Sequence, residues 1–257
     1  MSGLPLIVRA DDAGSCPEAN RAIAACADAG VLQCVSVMAI CPDLPNAARL
    51  LAHRTNIEFG LHFALNSEWE QFRWRPVSAP DTVASLVGAD GFLRPMPADL
   101  LEHGFVVEEA LAEARAQLQA VRDAGFAPTY LDEHCGVSWI SKELEDGLAE
   151  LSQQEGLLYV KHCPTMPVSY DSTDYTTDVS PEEQDLTGAT PCLWVTHPGL
   201  NEPGGAMARF HLRGEPDNGE VARERDAERR LLCDPELPAM LRALGYNLAP
   251  YRKIFNP

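Results

Sequence analysis

The sequence lacks several features that would indicate a membrane or nucleic-acid protein. It has no uninterrupted apolar run of roughly 18 residues, the length that a membrane-spanning helix needs. The start, MSGLPLIVRADD, has neither a basic segment nor a long apolar stretch, so we expect no signal peptide. Basic residues are scarce: 20 Lys and Arg stand against 38 Asp and Glu, for a net charge of -18. Because nucleic acids and anionic membranes bind cationic surfaces, neither is an expected partner.

Cysteine pairs and phosphate-binding loops are missing as well. The eight cysteines form no C-x-x-C pair, which argues against a cysteine-rich zinc site. Several of them lie in apolar runs, where cysteine acts as a small hydrophobic residue, so we expect a reduced, cytoplasmic protein. No glycine-rich loop supports nucleotide binding, and the chain contains no internal repeat or low-complexity tract. The sequence leaves the oligomeric state, including a homo-oligomer, open.

Strand-like and helix-like patterns alternate along the 257 residues, which we expect to form a single domain, residues 1–257. Apolar runs typical of buried strands lie at Leu4–Ala10, Cys34–Ile40, Ile57–Phe63, Thr129–His134, Leu157–Cys163 and Cys192–Thr196. Helical patterns lie at Pro17–Ala29, after Asp43 as far as Leu51, and at Val107–Ala124, Lys142–Gln154 and Gly219–Cys233, followed by a short helix ending at Gly245 and a strand-like NLAPY. This alternation predicts an α/β fold with a parallel sheet covered by helices. We expect a β/α barrel, complete or with fewer than eight strands, and a doubly wound open sheet is the alternative.

Two long connections interrupt the pattern. One, Asn66–Phe105, contains Trp69 and Trp74, and the other, Pro164–Pro191, is polar. Long loops in a compact domain are often functional, but aromatic residues also pin loops to a surface. On the functional interpretation, Trp69 and Trp74 form a cleft wall that binds substrate by stacking against a sugar ring.

Polar residues follow four of the predicted strands. Asp11 and Asp12 end the first, His62 lies in GLHF, Asp132 and His134 lie in LDEH, and His197 lies in VTHPG. The carboxyl ends of parallel strands meet at one face, so these side chains are expected to share one rim. A single histidine at a strand end is more often structural, and paired aspartates often cap a turn. Three of the seven histidines, however, lie at such ends.

Two adjacent aspartates repel each other unless a cation or a catalytic task compensates. One carboxylate and two imidazoles form a common ligand set for a divalent metal with open positions, which would leave the second carboxylate ionised as a base. Bound metal acidifies water toward a pKa of about 7 in favourable zinc sites, and a histidine can protonate a leaving group. The pattern therefore predicts metal-assisted hydrolysis. Zinc suits these ligands best, and magnesium, manganese, cobalt or nickel also fit.

Four motifs, in order, carry a resemblance to a known family: RADDAGSCPEANRAI, GLHFALNSEW, YLDEHCGVSW and THPG. Together with the tail RERDAERRLLCDPELPAMLRALGYNLAPYR, they resemble the YdjC-like (chitooligosaccharide) deacetylases from about Ile7 to Arg252. The resemblance implies a β/α-barrel-like, polysaccharide-deacetylase-like fold. It also implies metal-dependent removal of an acetyl group from an N-acetylated sugar or small oligosaccharide.

The resemblance also implies roles for individual residues. Asp12, His62 and His134 would be the metal ligands, Asp11 the general base and His197 the general acid. Arg225 and Glu228 match the tail pattern without an assigned role.

This chain departs from the family pattern after the fourth strand. The family usually reads LDSHxHVH there, whereas this chain reads LDEHCGVS, so Gly136 and Ser138 replace two later histidines. We expect the triad to survive this change and the substrate contacts near the loop to differ. Two other functions stay open on the residues alone: a barrel metallohydrolase of another bond, such as a phosphoester or cyclic amide, and an inactive sugar-binding protein.

Overall fold

A sheet of seven parallel strands organises the fold of the residues that the computed structural model describes, 3–161, 169–171, 176–178 and 191–255. The strands described are β1 (Leu4–Ala13), β2 (Cys34–Val37), β3 (Glu58–Phe63), β4 (Pro128–Glu133), β5 (Leu158–Tyr159), β6 (Ser169–Asp171), β7 (Thr176–Asp178), β8 (Cys192–Thr196) and β9 (Tyr246–Leu248). The sheet has the order β5-β4-β3-β2-β1-β8, and β9 pairs with the start of β1. Strands β6 and β7 form a separate antiparallel pair.

Helices follow most strands of the sheet. They are α1 (Pro17–Ala29), α2 (Leu44–Leu51), α3 (Pro97–His103), α4 (Val107–Asp123), α5 (Lys142–Gln154), α6 (Glu220–Leu232), α7 (Leu237–Ala243) and α8 (Tyr251–Phe255), with 3₁₀ helices at Ala84–Leu86, His134–Ile140 and Met207–Arg209. Proline in the first turn begins α1, and Gly30, with a φ of 83°, ends it. The Ser141 side chain accepts a hydrogen bond from the Leu144 N–H and so caps α5. Among the described residues, no helix is long and apolar enough to cross a membrane.

One face of the sheet changes character along its strands. Near the amino ends it carries a small apolar cluster that includes Ile7, Tyr130 and Leu193. Two residues further along β1 and β4, the same face carries Arg9 and Asp132, because alternate residues of a strand share a face. The other face belongs to the main hydrophobic core, which packs against the helices. The polar groups therefore gather at the carboxyl ends of the strands.

The structure confirms the expected barrel-like α/β fold, in which the parallel sheet curls as a half-barrel. Among the described strands, none joins β5 to β8, so the described residues do not form a closed ring. Several predicted bounds were wrong. The strand predicted for Cys34–Ile40 ends at Val37, and helices α3 and α8 were not predicted. The end of the run Leu157–Cys163, with His162, lies outside the described residues, as does most of the connection Pro164–Pro191.

Candidate metal centre

The two adjacent aspartates at the end of β1 occupy an irregular stretch of strand. In a regular strand, neighbouring side chains point to opposite faces of the sheet. The pairing of β1 with β2 shifts register between Ala10 and Ala13, and Asp12 has a φ of 64°. Few residues other than glycine adopt this conformation, although aspartate tolerates it better than most. As a result, both carboxylates approach His62 Nε2, with Asp11 Oδ2 at 4.0 Å and Asp12 Oδ1 at 3.5 Å.

One oxygen and two nitrogens of Asp12, His62 and His134 lie together. Asp12 Oδ1 is 3.5 Å from His62 Nε2 and 3.4 Å from His134 Nδ1, and the two nitrogens are 3.2 Å apart. All three residues are buried. Asp12 Oδ1 has no hydrogen-bond partner among the described residues, and a cation would satisfy this otherwise costly oxygen. The three side chains therefore fit a divalent metal with open positions.

A second carboxylate orients the His62 ring. Asp132 Oδ2 is 3.0 Å from His62 Nδ1, a contact that follows from register because the two residues are paired on β3 and β4. A proton on Nδ1 leaves the lone pair of Nε2 free, as metal ligation requires. Asp132 itself is held by Arg9 NH2 at 2.9 Å and by the Ser36 hydroxyl at 3.2 Å. On the other ring, His134 Nε2 lies 3.0 Å from Glu68 Oε2.

The contact network around the triad has more negative than positive groups. Its carboxylates are Asp11, Asp12, Glu68 and Asp132, and its guanidinium groups are Arg9 and Arg225. Buried charges are costly unless they are balanced. With both imidazoles neutral, the network has two more negative than positive groups, which one divalent cation would balance.

The pKa values of the histidines respond to this surplus of negative charge. Burial lowers the pKa of His134, but Glu68 and Asp12 outweigh burial and raise the pKa well above its usual value. Burial likewise opposes the raised pKa of His62, which Asp132 and Asp11 cause. Positive charge is thus favoured where the ring nitrogens face Asp12.

Asp11 is held by Arg9 rather than by the three triad residues. The Arg9 Nε and NH2 groups donate to the two Asp11 oxygens at 2.6 and 2.7 Å. Burial raises the pKa of Asp11, but Arg9 and His62 outweigh burial, so the pKa lies below its usual value. Asp11 is therefore ionised at neutral pH and lies beside the triad.

A cavity of about 380 Å³ adjoins the triad, and it is lined by Trp69, His197, Val221, Glu224, Arg225 and Glu228. Arg225 connects the two, because its NH2 lies 2.9 Å from Asp12 Oδ2. The His197 backbone N–H donates to Glu228 Oε2 at 2.6 Å. Burial raises the pKa of Asp11 and of Asp12. Arg9 and His62 lower the pKa of Asp11, Arg225 and His134 lower that of Asp12, and His197 makes a smaller contribution that lowers both, so His197 lies within electrostatic reach of both aspartates.

The family model of YdjC-like proteins matches residues 5–243, which include the triad, Asp11 and His197. The chain belongs to the YdjC-like family. A carbohydrate deacetylase of Halalkalibacterium halodurans is 29% identical over 135 residues, 51% of this chain and 53% of that protein. The match thus spans about half of the length of this relative.

Solved structures share the fold. A candidate cellobiose-phosphate cleavage protein of Enterococcus faecalis superposes with a TM-score of 0.72 at 18% identity, over 98% of this chain and 99% of that one. A peptidoglycan N-acetylglucosamine deacetylase gives 0.50 at 11% identity, over 98% and 88% of the two chains. A Streptococcus mutans CE4 esterase gives 0.50 at 12%, over 97% and 86%. At these identities the likeness shows the fold alone.

The two tryptophans of this YdjC-like chain occupy different surroundings. Trp69 lines the cavity, stacks on Phe210 with ring centroids 4.9 Å apart, and has Arg225 above its ring at 5.5 Å. Trp74 is only 3% exposed, and its ring meets that of His134 edge-on at 5.9 Å. Trp69 is thus placed at the cavity and Trp74 behind a triad residue.

The loop that departs from the family pattern has its own hydrogen bonds. Gly136 has a φ of 59°, and a side chain there would meet open space. The Ser138 backbone N–H and hydroxyl donate to Glu133 at 2.6 and 2.8 Å, and Lys161 donates to the Ser138 hydroxyl. Ser138 thus stabilises the loop from within.

Two residues of the tail motif, Arg225 and Glu228, to which the sequence assigned no role, make contacts at the site. Arg225 binds Asp12, and Glu228 binds the His197 backbone, so α6 supports both ends of the site. Sequence reasoning assigned no role to Glu68, Asp132 or Arg9. Asp132 was expected at the same rim as His134, because both lie in LDEH, and Glu68 lies in the motif GLHFALNSEW, but neither motif indicated the contact with a histidine.

Proposed function

We propose that this YdjC-like chain is a metal-dependent hydrolase that removes the acetyl group from an N-acetylated sugar or small oligosaccharide. The observation that carries the proposal is the buried group of Asp12, His62 and His134, whose ligand atoms lie within 3.5 Å of one another. Family membership and the partial match to a carbohydrate deacetylase support the choice of reaction.

The chain's own residues account for the proton transfers of amide hydrolysis. A divalent cation held by Asp12, His62 and His134 would supply Lewis acidity at the acetyl carbonyl. Asp11, ionised and fixed by Arg9, accepts the proton of the attacking water. His197, on the cavity side, donates a proton to the departing amine nitrogen. Zinc is the expected metal, with magnesium, manganese, cobalt and nickel as alternatives.

The cavity beside the triad supports a substrate that is not anionic. Glu224 and Glu228 line it, and burial together with Glu220 and Glu228 raises the pKa of Glu224. Negative charge in the lining disfavours phosphorylated or acidic sugars, which agrees with the net charge of -18. Trp69 also lines the cavity, but it is only 7% exposed and its ring packs on Phe210 and Arg225, so it shapes the cavity wall and leaves little ring surface for a sugar. A neutral or cationic amino sugar is the proposed substrate class.

Acetate release tests the proposal. The purified protein is stripped with a chelator, reloaded with single divalent metals, and assayed on N-acetylated mono- and disaccharides. We expect acetate only after reloading, and little with His62→Ala at equal protein. Metal binding without acetate but with phosphate release from a sugar phosphate would replace the deacetylase by another metallohydrolase. Absence of metal binding would contradict any metal-dependent activity.

A further inference from the structure

The segment Asn66–Trp69, NSEW, contacts the metal centre at two places. Glu68 accepts from His134 Nε2 at 3.0 Å, and the ring of Trp69 lies under Arg225, which binds Asp12. The segment is itself tied down, because the Ser67 N–H donates to Arg94 O at 2.8 Å and the Ser67 hydroxyl accepts from the Trp74 N–H at 2.7 Å. This loop therefore packs directly on His134 and reaches Asp12 only through Arg225.

Glu68 is placed firmly enough to control the His134 ring. It is 5% exposed, and Asn66 Nδ2 donates to the same Oε2 at 3.2 Å. The edge of Trp74 packs on the His134 ring and restricts its rotation. A carboxylate only accepts hydrogen bonds, so the His134 nitrogen that faces Glu68 must carry a proton.

A neutral imidazole has one protonated and one free nitrogen. With the proton on Nε2, the free lone pair is on Nδ1, the atom that lies 3.4 Å from Asp12 Oδ1 and 3.2 Å from His62 Nε2. We propose that Glu68 is a positioning residue whose carboxylate commits His134 to metal ligation through Nδ1. The inference rests on the metal site of the proposed function. His62, held at Nδ1 by Asp132, binds through the opposite nitrogen, Nε2.

Glu68→Gln tests the charge of this contact at constant size. The amide accepts less strongly, and its NH₂ group, if it faces Nε2, drives the proton onto Nδ1, where it blocks ligation. Glu70→Gln is the matched control, since Glu70 lies two residues along, is exposed and pairs with Arg213 at 3.1 Å. Zn²⁺ affinity is measured by competition with a fluorescent chelator. Nitrogen-15 spectra of the Zn²⁺-loaded protein identify the bound nitrogen of each histidine.

We expect Glu68→Gln to weaken Zn²⁺ binding roughly 10- to 100-fold, as loss of such partners does elsewhere, and Glu70→Gln to leave it unchanged. The melting temperature in chelator should match the wild type, which separates positioning of the ligand from support of the fold. Spectra should show His134 bound through Nδ1. Equal Zn²⁺ affinity in both variants, or ligation through Nε2, would overturn the inference while leaving the deacetylase proposal intact. A wild type that binds no Zn²⁺ or other divalent metal would instead refute the metal site itself.

Discussion

Asp11 and Asp12 are neighbours in sequence but share almost none of their contacts. Asp11 has both oxygens on Arg9, whereas Asp12 has one oxygen on Arg225 and the other facing two imidazoles. An arginine-paired carboxylate beside a metal suits a base, and an oxygen without a hydrogen-bond partner suits a ligand.

Asparagine at each position should therefore give different defects. Asp11→Asn should retain bound metal but lose about 10²- to 10⁴-fold in kcat, because an amide does not accept the proton of water. Asp12→Asn should lower the bound metal itself, because the charged ligand oxygen is gone. Metal analysis of the purified proteins, together with acetate release, separates the two. If both variants lost metal equally, the division into base and ligand would be wrong.

The contribution of His197 to turnover should depend on the leaving group of the substrate. An amine leaves poorly without a proton, whereas an aryl alkoxide leaves unaided, and His197 lines the cavity beside the triad. His197→Ala should retain metal and lose at least about a hundredfold in kcat on an N-acetylated sugar, yet lose less on an aryl acetate. Parallel assays on the two substrates measure this ratio. Equal losses would indicate that His197 only positions the substrate, and unchanged amide turnover would remove it from the mechanism.

The sequence predicted the site residues that follow strands, but not the residues that hold those side chains in place. Asp12, His62 and His134 each follow an apolar run, and the structure brings them together. Glu68 reaches His134 from a long connection, and its approach depends on how that loop folds over the sheet. No local sequence pattern predicts such a contact.

Among the elements, β3 packs closely against β4 next to the site. A Cβ atom at Gly60 would lie 2.1 Å from the ring of Tyr130 on β4, and this ring is fully buried. The Tyr130 hydroxyl contacts Ser36 at 3.0 Å, and Ser36 in turn donates to Asp132. Glycine at this position thus allows the close packing of β3 and β4 that brings His62 to Asp132.

Gly60→Ala should accordingly destabilise the protein by about 1–3 kcal/mol or more, as overpacked cores do. Thermal unfolding should show a lower melting temperature, and divalent-metal affinity should fall because the Asp132 contact moves. In the double variant Gly60→Ala, Tyr130→Leu, the smaller side chain leaves room for the new methyl group. Its loss of stability should be smaller than the sum of the single losses. If the two single losses of stability simply added up in the double variant, the new methyl group would not be clashing with the Tyr130 ring.

The sequence predicted the bounds of helices and strands best where local signals were strong. Helices α1 and α5 were predicted with their observed bounds, because proline or serine begins them and glycine follows them closely. Helix α3 lies within a connection rich in proline and aromatics, where no clear apolar period stands out. The end of β1 was also misjudged: the strand continues through Asp11 and Asp12 to Ala13, because β1 pairs with β2 again at Ala13 beyond the irregular stretch that holds the two aspartates.

The triad joins parts of the chain that are distant in sequence. Asp12 lies on β1, His62 on β3 and His134 after β4, so the unfolded chain does not hold the three together. A ligand that binds only the folded state stabilises it, by about 2.7 kcal/mol at a hundred times its dissociation constant. The triad should therefore link metal binding to the stability of the sheet.

Divalent metal should raise the melting temperature of the chelator-treated protein. At a hundredfold excess over the dissociation constant, roughly 5–10 °C is expected for a chain of this size. Calorimetric scans with added Zn²⁺, Mg²⁺ or Mn²⁺ measure the shift, and the metal that gives the largest shift binds tightest at equal concentration. A chain with net charge -18 also attracts cations non-specifically, so the shift must be compared with that of Asp12→Asn, which retains almost all of that charge. The wild type should exceed this variant by most of the shift. The same shift in both proteins would place the stabilising cation on the surface rather than at Asp12, His62 and His134, and no shift with any metal would contradict the site.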